Sequence, residues 1–376
     1  MSPLAGQAPS LSELAKRSKT DKQDKSLPGD TATMKPVTNT VVPEAQESPT
    51  FFDHAPEGVV KWRLFGTGGA GKSAALHYSK SNRFNTEITT IDTSGVEEIS
   101  QGVESIRIEG LNGSGKYRAK NIDPIMTFIS DYVPQTRFAD VNVIVHSFSG
   151  GSGSVIAPLL VDEILRQNKI AIVIGILDTD SEIDTVNALN TLRTLDNFVK
   201  QRGSYLPVML FDNNFGRYVV DRGINMMIKH LSVIFDVPYI GLDLEDRIKF
   251  IRPDAFDGVK GGIKMLCLSQ LPLGSWYEDI GLVIPTNQSE RIDATIIISS
   301  TNDNLQLTNL CKATFRGFYE NEGVNTVGSV GYQIPVALID KLNNSIHSHK
   351  NVQPKAATVI KSEHNTGEVS SNGMVL

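Results

Sequence analysis

Three glycine-rich stretches are the residues of this chain best suited to binding a phosphate. They are GTGGAGKS (residues 66–73), GLNGSG (110–115) and SFSGGSGS (147–154). Each follows an apolar run with the composition of a β-strand and precedes a helical pattern. Glycine lets the backbone approach an anion, and a helix N-terminus offers unpaired N–H groups and the positive end of its dipole. A flexible turn is the alternative for the third stretch taken alone.

The first stretch matches the Walker A pattern G-x-x-x-x-G-K-[ST] at every position. In that interpretation Lys72 reaches the β- and γ-phosphates, Ser73 holds Mg²⁺, and Asp178 supplies the later acidic residue. This alternative predicts a monomeric P-loop ATPase or kinase, and it leaves the other two stretches without a role. One nucleotide uses all three stretches if they lie side by side at one sheet edge.

Strands and helices alternate along the first part of the chain, which predicts a parallel sheet covered by helices on both faces. The predicted strands are residues 59–65, 87–91, 105–109, 141–145, 170–177 and 206–211. The first predicted helix begins at Ala74, and three more cover residues 122–133, 155–167 and 182–200. Asp162 and Glu163 are expected on the outer face of the third of these helices. Glycine loops at the carboxyl ends of such strands are where these sheets bind ligands.

A long helix over residues 215–236 follows, and its second half is apolar nearly all round, which is typical of a central helix. Beyond it the elements become shorter. Strand-like pieces at 263–268, 280–283, 294–299, 313–319 and 326–331 and a helix at 335–347 predict a second, smaller α/β domain.

The composition is that of an ordinary globular protein: 376 residues, 40% apolar and 21% charged. A net charge of −6 gives no electrostatic case for direct nucleic-acid binding. No apolar run approaches the ~20 residues of a membrane span, and the N-terminus lacks the apolar segment of a secretory signal. Cys267 and Cys311 fit neither a disulfide framework nor metal-ligand spacing, and His347 and His349 are better explained as solvated side chains at a helix end than as metal ligands. We therefore expect a cytoplasmic protein without a membrane or a structural metal.

The order of these stretches resembles that of the tubulin/FtsZ superfamily. GTGGAGKS follows the first predicted strand, IDTS the second, GLNGSG the third and SGGSGS the fourth, and FDNN ends the sixth. The family signature G-G-G-T-G-[ST]-G lies in the place of SGGSGS, where this chain has Ser149 for the first glycine and Ser152 for the threonine. The resemblance covers about residues 59–350. It implies a tubulin-like α/β fold with a parallel-sheet GTP-binding domain, a long central helix and a smaller C-terminal α/β domain.

Five segments follow from the composition and the resemblance together. We expect a disordered extension (1–57), a GTP-binding domain (58–214), a central helix (215–236), a C-terminal domain (237–349) with a catalytic loop at 238–247, and a flexible tail (350–376). The tail ends in Met374, Val375 and Leu376, which are candidates for a hydrophobic anchor on the next subunit.

The resemblance also implies which residues hold GTP and Mg²⁺. Phosphate contacts fall to Gly68, Gly69, Ala70, Gly71, Gly113, Gly115, Gly150, Gly151, Ser152, Gly153 and Ser154. Asp92 and Thr93 stand where the second loop reaches the nucleotide and Mg²⁺, although a strand-closing turn is the alternative. Lys72 either touches phosphate or faces solvent. Glu182 or Asp184 is a candidate for the ribose.

Guanine recognition falls to Asn213 and Asn225, because an amide can face both the ring carbonyl and the adjacent N–H or amino donor. A turn or N-cap is the alternative for Asn213. In the family, an acidic loop written N-x-D-x-x-[DE] enters the nucleotide pocket of the neighbouring subunit. By resemblance Asp243 and Asp246 are its carboxylates, with Asp246 polarising the attacking water. Gly241 replaces the usual asparagine, and a capping turn that starts a helix is the alternative.

Bacteriophage tubulins of the PhuZ type resemble this chain in HSFSGGSGSVIAPLL, in IDTVNALNTLRTLDNF and in the C-terminal GMVL. This implies a GTPase that self-assembles head to tail in the cytoplasm of an infected bacterium. Such filaments position phage DNA in its nucleus shell and carry capsids. Two alternatives remain open beside the P-loop enzyme. One is a DNA-segregation filament of the TubZ type that works through an adaptor, and the other is a filament that binds GTP but hydrolyses it poorly.

Overall fold

A computed structural model gives the fold. It describes residues 59–81, 86–95, 100–236, 241–255, 258–270, 281–283, 292–300, 313–319 and 325–351. The predictions for the extension (1–57), for nearly all of the tail (350–376) and for Cys311 lie outside these residues.

Ten described strands form one sheet. They are β1 (Trp62–Thr67), β2 (Glu87–Asp92), β3 (Val103–Arg107), β4 (Val141–Ser147), β5 (Ile170–Leu177), β6 (Tyr205–Asp212), β7 (Gly262–Gln270), β8 (Ala294–Ser300), β9 (Phe315–Tyr319) and β10 (Thr326–Tyr332). Their order across the sheet is β3-β2-β1-β4-β5-β6-β7-β10-β8-β9. The first seven pair in parallel, β10 is antiparallel to β7 and β8, and β9 is parallel to β8.

Seven described α-helices join or cover these strands. They are α1 (Gly68–Ser81), α2 (Arg118–Tyr132), α3 (Gly153–Arg166), α4 (Glu182–Arg202), α5 (Arg217–Asp236), α6 (Leu244–Ile251) and α7 (Val336–Asn351). The predicted α/β class with a mainly parallel sheet is therefore confirmed. The sheet also runs without interruption past the boundary expected between the two domains, because β7 pairs with β6.

Both faces of the central strands are buried, which explains their continuous apolar sequence. All eight residues of β5 are buried. One core lies between the sheet and helices α2, α3, α4 and α7, and includes Phe148, Leu160 and Leu195. The other lies on the opposite face under α1 and α5, and includes Trp62 and Leu231. Helices thus cover each face of the sheet, and the place where a ligand can bind is the edge formed by the carboxyl ends of the strands.

Two local predictions were wrong. Helix α1 begins at Gly68 and not at Ala74, so the glycine-rich stretch is itself the start of the helix. Asp162 and Glu163 are buried and do not face solvent. They are tolerated there because each carboxylate is paired, Asp162 with Arg202 at 2.7 Å and Glu163 with Arg166.

Candidate functional site

The first and fourth loops meet through glycine backbones at the carboxyl ends of β1 and β4. A Cβ on Gly68, whose φ is +68°, would lie 2.6 Å from the nitrogen of Gly153. A Cβ on Gly71 would lie 2.0 Å from the carbonyl oxygen of Val145. Only glycine fits at such distances, so α1 and α3 begin side by side with their N–H groups at the same edge.

The third loop closes onto this pair. A Cβ on Gly151 would lie 2.4 Å from the hydroxyl of Ser114 and 2.8 Å from the Cα of Lys116. The Gly113 nitrogen donates to the Thr93 carbonyl oxygen at 3.0 Å. Gly113 and Gly115 have φ values of +81° and +57°, which glycine adopts without strain. All three glycine-rich stretches and the second loop therefore form one continuous surface.

The second loop carries the carboxylate of this surface. Asp92 is buried, and its Oδ1 accepts hydrogen bonds from the Thr93 nitrogen at 2.8 Å and from the Ser152 hydroxyl at 3.3 Å. The hydroxyl of Thr93 is buried and has no hydrogen-bond partner among the described residues. A buried polar atom left in this way is accounted for by a bound water, ion or ligand. Carboxylate and hydroxyl oxygens suit Mg²⁺, so Asp92 and Thr93 fit the predicted role.

Two further unpartnered groups lie below the same edge. The hydroxyl of Thr67 and Nε2 of His146 are buried without a hydrogen-bond partner in the described structure, and the two residues pair in the β1–β4 register. Burial lowers the pKa of His146 to about 3, with a smaller contribution from the charge of Arg118. His146 is therefore neutral at physiological pH.

Two cations beside the loops were missed by the sequence analysis. Lys116, at φ +64°, directly follows GLNGSG (110–115) and binds the buried carboxylate of Asp184 at 2.8 Å. The fully buried Arg118 donates to the carbonyl oxygen of Ser154 and to the Thr191 hydroxyl. Burial lowers the pKa of Arg118 to about 9. Their position immediately after a glycine-rich loop was the available signal.

The candidates for the ribose differ in their surroundings. Asp184 already binds Lys116 and the hydroxyl of Ser181, the N-cap residue of α4. Glu182 lies in the first turn of α4 and is half-buried. Of the two, Glu182 is the better placed to contact a ligand directly.

The two asparagines lie on neighbouring elements at the β6 end of the site. Asn213 begins a short 3₁₀ helix capped by Asp212, and its Nδ2 donates to Asp178 at 3.3 Å. Asn225 is buried within α5 and donates from Nδ2 to the Asp221 carbonyl oxygen at 2.9 Å. Its Oδ1 is buried with no partner among the described residues, as expected of an atom that awaits a ligand. Burial also raises the pKa of Asp221.

The Walker A interpretation fails on the backbone. A P-loop needs an open loop between its two outer glycines, but here β1 extends to Thr67 and α1 begins at Gly68. Lys72 is therefore already in the second turn of a helix. The hydroxyl of Ser73 accepts a hydrogen bond from Arg217 of α5 at 2.9 Å.

The acidic loop forms the capping turn at a helix start that was the alternative to a catalytic loop. Asp243 is the N-cap residue of α6, and its Oδ1 accepts from the Asp246 nitrogen at 2.8 Å. Gly241 has a φ of +78°, the left-handed region that glycine and asparagine adopt most readily, which accounts for glycine in place of asparagine. The buried Arg247 donates to the carbonyl oxygens of Asp243 and Phe235, fixing this loop to the end of α5.

The acidic loop lies far from the glycine loops. Arg217 at the start of α5 contacts Ser73, whereas Asp236 at its end accepts from Trp62, the first residue of β1, at 2.7 Å. The twenty residues of α5 span about 30 Å. The structure thus brings together the phosphate, ribose and base candidates, and places Asp243 and Asp246 at the opposite end of the central helix.

The described residues contain neither a cluster of metal ligands nor a helix that could span a membrane. No three or more histidine, cysteine, aspartate or glutamate side chains among them are grouped so as to hold a metal ion. None of the helices described is both long and apolar enough to cross a membrane.

Sequence comparison finds a family model that matches the part of the chain that carries this edge of the sheet. Residues 61–215 match the sequence model of the Tubulin/FtsZ family, GTPase domain. A phage tubulin-like protein of Pseudomonas phage phiKZ is 24% identical over 203 residues, which are 50% of this chain and 61% of that protein. A second, from Pseudomonas phage PhiPA3, is 24% identical over 189 residues, 50% of this chain and 52% of that protein. The match thus spans between half and two thirds of these relatives.

Solved structures confirm the predicted tubulin-like fold. The phage tubulin PhuZ with GDP superimposes with a TM-score of 0.66 at 16% identity, covering 84% of this chain and 100% of that one. A protofilament of TubZ from bacteriophage phiKZ gives 0.66 at 18% identity, covering 84% and 99%. The TubZ of Clostridium botulinum phage c-st gives 0.61 at 15% identity, covering 78% and 99%.

Proposed function

We infer that this chain, whose residues 61–215 match the GTPase-domain model of the Tubulin/FtsZ family, binds and hydrolyses GTP and assembles head to tail into filaments. In this proposal each nucleotide site is completed by the acidic loop of the next subunit.

The glycine loops account for nucleotide binding. N–H groups at the starts of α1 and α3 converge on one edge, where the helix dipoles favour a polyphosphate. Asp92 with Thr93 would hold Mg²⁺, which would neutralise phosphate charge when bound. The unpartnered Oδ1 of Asn225 would accept from guanine. The exposed ring of Tyr218, the second residue of α5, is available to stack on the base.

The separation across α5 is the observation that carries the proposal. Asp243 and Asp246 follow the end of a helix about 30 Å long whose start adjoins the glycine loops. Within one subunit these carboxylates cannot reach the phosphate site. Copies stacked in one orientation would bring the acidic end of one against the glycine loops of the next, which is a heterologous contact that extends into a filament.

The acidic loop supplies what phosphoryl transfer requires of the protein. The reaction needs a positioned water and little covalent chemistry. Asp246 would polarise that water. Asp243 holds the first turn of α6 through the Asp246 nitrogen, so it acts on the position of Asp246. Arg247 fixes the same turn to the end of α5, which gives the loop a rigid support.

The finer role follows the phage relatives. PhuZ and TubZ are named in structures of filaments or protofilaments. We propose that this chain forms such filaments in the cytoplasm of an infected bacterium, where they position phage DNA in its nucleus shell and carry capsids. The alternative of a DNA-segregation filament of the TubZ type has the same site and differs in cargo.

Phosphate release against protein concentration tests the proposal. If the site is shared between subunits, the rate per subunit rises with concentration above a threshold at which filaments appear in electron micrographs. Asp246→Asn should abolish hydrolysis while GTP still binds. Glu245→Gln is the matched control, because Glu245 is in the same turn, is largely exposed and pairs with Lys249 of its own helix at 2.6 Å. A constant rate per subunit down to low concentration would contradict a shared site.

A further inference from the structure

We propose that Asp178 is a positioning residue that orients the Asn213 amide and thereby sets the preference for guanine over adenine. The inference rests on the proposed function, since it concerns the base end of the same nucleotide site.

Asp178 fixes which atom of the Asn213 amide is left for a ligand. Asn213 donates from Nδ2 to Oδ2 of Asp178 at 3.3 Å. A carboxylate only accepts hydrogen bonds, so the reverse orientation would set Oδ1 of the amide against a negative oxygen. The amide oxygen of Asn213 is therefore turned away from the carboxylate and is available to face a base.

The carboxylate of Asp178 is itself held in place. Its Oδ1 accepts from the Asp180 nitrogen at 3.0 Å. The hydroxyl of Ser149 donates to the Asp178 carbonyl oxygen and accepts from the Asp178 nitrogen, each at 2.8 Å. Ser149 is one of the positions where this chain departs from the family signature. Through these bonds Ser149 connects the loop after β4 to Asp178, the residue that orients Asn213.

The side-chain amide of Asn225 is held in the same orientation, with Nδ2 on the protein. Asn225 donates from Nδ2 to the Asp221 carbonyl oxygen, which leaves its Oδ1 without a partner among the described residues. Each asparagine thus uses Nδ2 to donate to the protein and leaves its Oδ1 for a ligand. Guanine presents two adjacent donors, N1–H and the 2-amino group, whereas adenine presents an acceptor at N1. Two fixed acceptors select guanine, because an acceptor facing adenine N1 would have no proton to share.

Removal of the orienting carboxylate should change selectivity. In Asp178→Ala the Asn213 amide is free to turn and to offer Nδ2 to adenine N1. Dissociation constants for GTP, ITP and ATP would be measured by competition against a fluorescent GTP analogue. We expect the GTP preference over ATP to fall about five- to tenfold, the value of one hydrogen bond. The preference over ITP, which lacks the 2-amino group, should fall in the same direction.

Two variants control the comparison. Asp180→Ala removes an exposed carboxylate from the same loop and should leave both preferences unchanged. Asp178→Asn keeps an acceptor and should recover part of the preference. If Asp178→Ala does not fold, as judged by circular dichroism, Asp178→Thr removes the same carboxylate and carries the test.

Equal weakening of all three nucleotides would overturn the inference, because a contact to the ribose or a loss of stability does not distinguish bases. Failure of the wild-type chain to bind GTP at all would instead contradict the proposed function. The two failures are therefore distinguishable in one set of titrations.

Discussion

Gly68 and Gly153 pack backbone against backbone, and this contact joins the loop after β1 (GTGGAGKS) to the loop after β4 (SFSGGSGS). A Cβ on Gly68 would lie 2.6 Å from the Gly153 nitrogen, and a Cβ on Gly153 would lie 2.7 Å from the Thr67 carbonyl oxygen. Both atoms are backbone and cannot move aside alone. The relative position of α1 and α3, and hence of their N–H groups, depends on the absence of two side chains.

Gly153→Ala should therefore separate the two loops. We expect a loss of about 1–3 kcal/mol in the free energy of unfolding, as for other overpacked sites, and GTP binding weakened by more than about tenfold. Gly69→Ala is the control for stability, since a Cβ there meets nothing within 4 Å. Thermal melts and GTP titrations measure both effects. Equal melting temperatures for the two variants would argue against the packing interpretation.

Lys72→Ala should leave GTP hydrolysis largely intact, with kcat reduced by less than about threefold. Because α1 begins at Gly68, the N–H groups of its first turn precede Lys72 and are unaffected by its side chain. Steady-state phosphate release above the assembly threshold checks this. Abolition of activity would instead restore the P-loop interpretation, in which this lysine is indispensable.

Gly241→Asn should be tolerated, and Gly241→Val should not. At φ +78° asparagine is accommodated, and a Cβ would lie 3.5 Å from the Arg316 carbonyl oxygen, an ordinary contact. Valine is strained at positive φ by about 1–3 kcal/mol. We expect Gly241→Asn to keep the GTPase rate within about twofold and Gly241→Val to lower it by displacing Asp243. Similar rates in both variants would mean that the loop tolerates another backbone conformation.

Asp236→Asn should change how stability depends on pH. Burial raises the pKa of Asp236 to about 7 from an ordinary 3.8, against the weaker opposing effects of Trp62 and Arg247. Between about pH 4 and 7 the folded chain then holds a proton that the unfolded chain has lost. The contribution of Asp236 to stability therefore falls as pH rises through this range.

Asparagine cannot ionise and still accepts from Trp62, so Asp236→Asn should be more stable than the wild type at pH 8, with the difference shrinking toward pH 5. Burial lowers the pKa of His146 to about 3 and of His230 to about 4, which gives the opposite slope in both proteins and cancels in the difference. Urea unfolding of both proteins at several pH values measures the difference in their free energies of unfolding. A difference independent of pH would contradict the raised pKa.

Sequence patterns predicted the strands well and the helix starts less well. The predicted strand 170–177 coincides with β5, because eight consecutive apolar residues are typical of a strand that is buried on both faces of the sheet. Helix α1 was placed six residues late, since glycines lower helix propensity and only packing against β4 overrides this. Asp162 and Glu163 were expected in solvent. Arg166, the partner of Glu163, lies three residues later in the same helix, but Arg202 reaches Asp162 only through the packing of α4 against α3.

What the sequence determined by itself is local: three glycine loops after three strands, two asparagines near the sixth strand, and an acidic turn with a left-handed residue before it. Chain connectivity and backbone preference are enough for these. The tertiary structure decided what no local pattern contains. The loops share one surface because β3, β2, β1 and β4 are consecutive neighbours in a parallel sheet. Asp243 lies away from that surface because α5, a helix about 30 Å long, separates them.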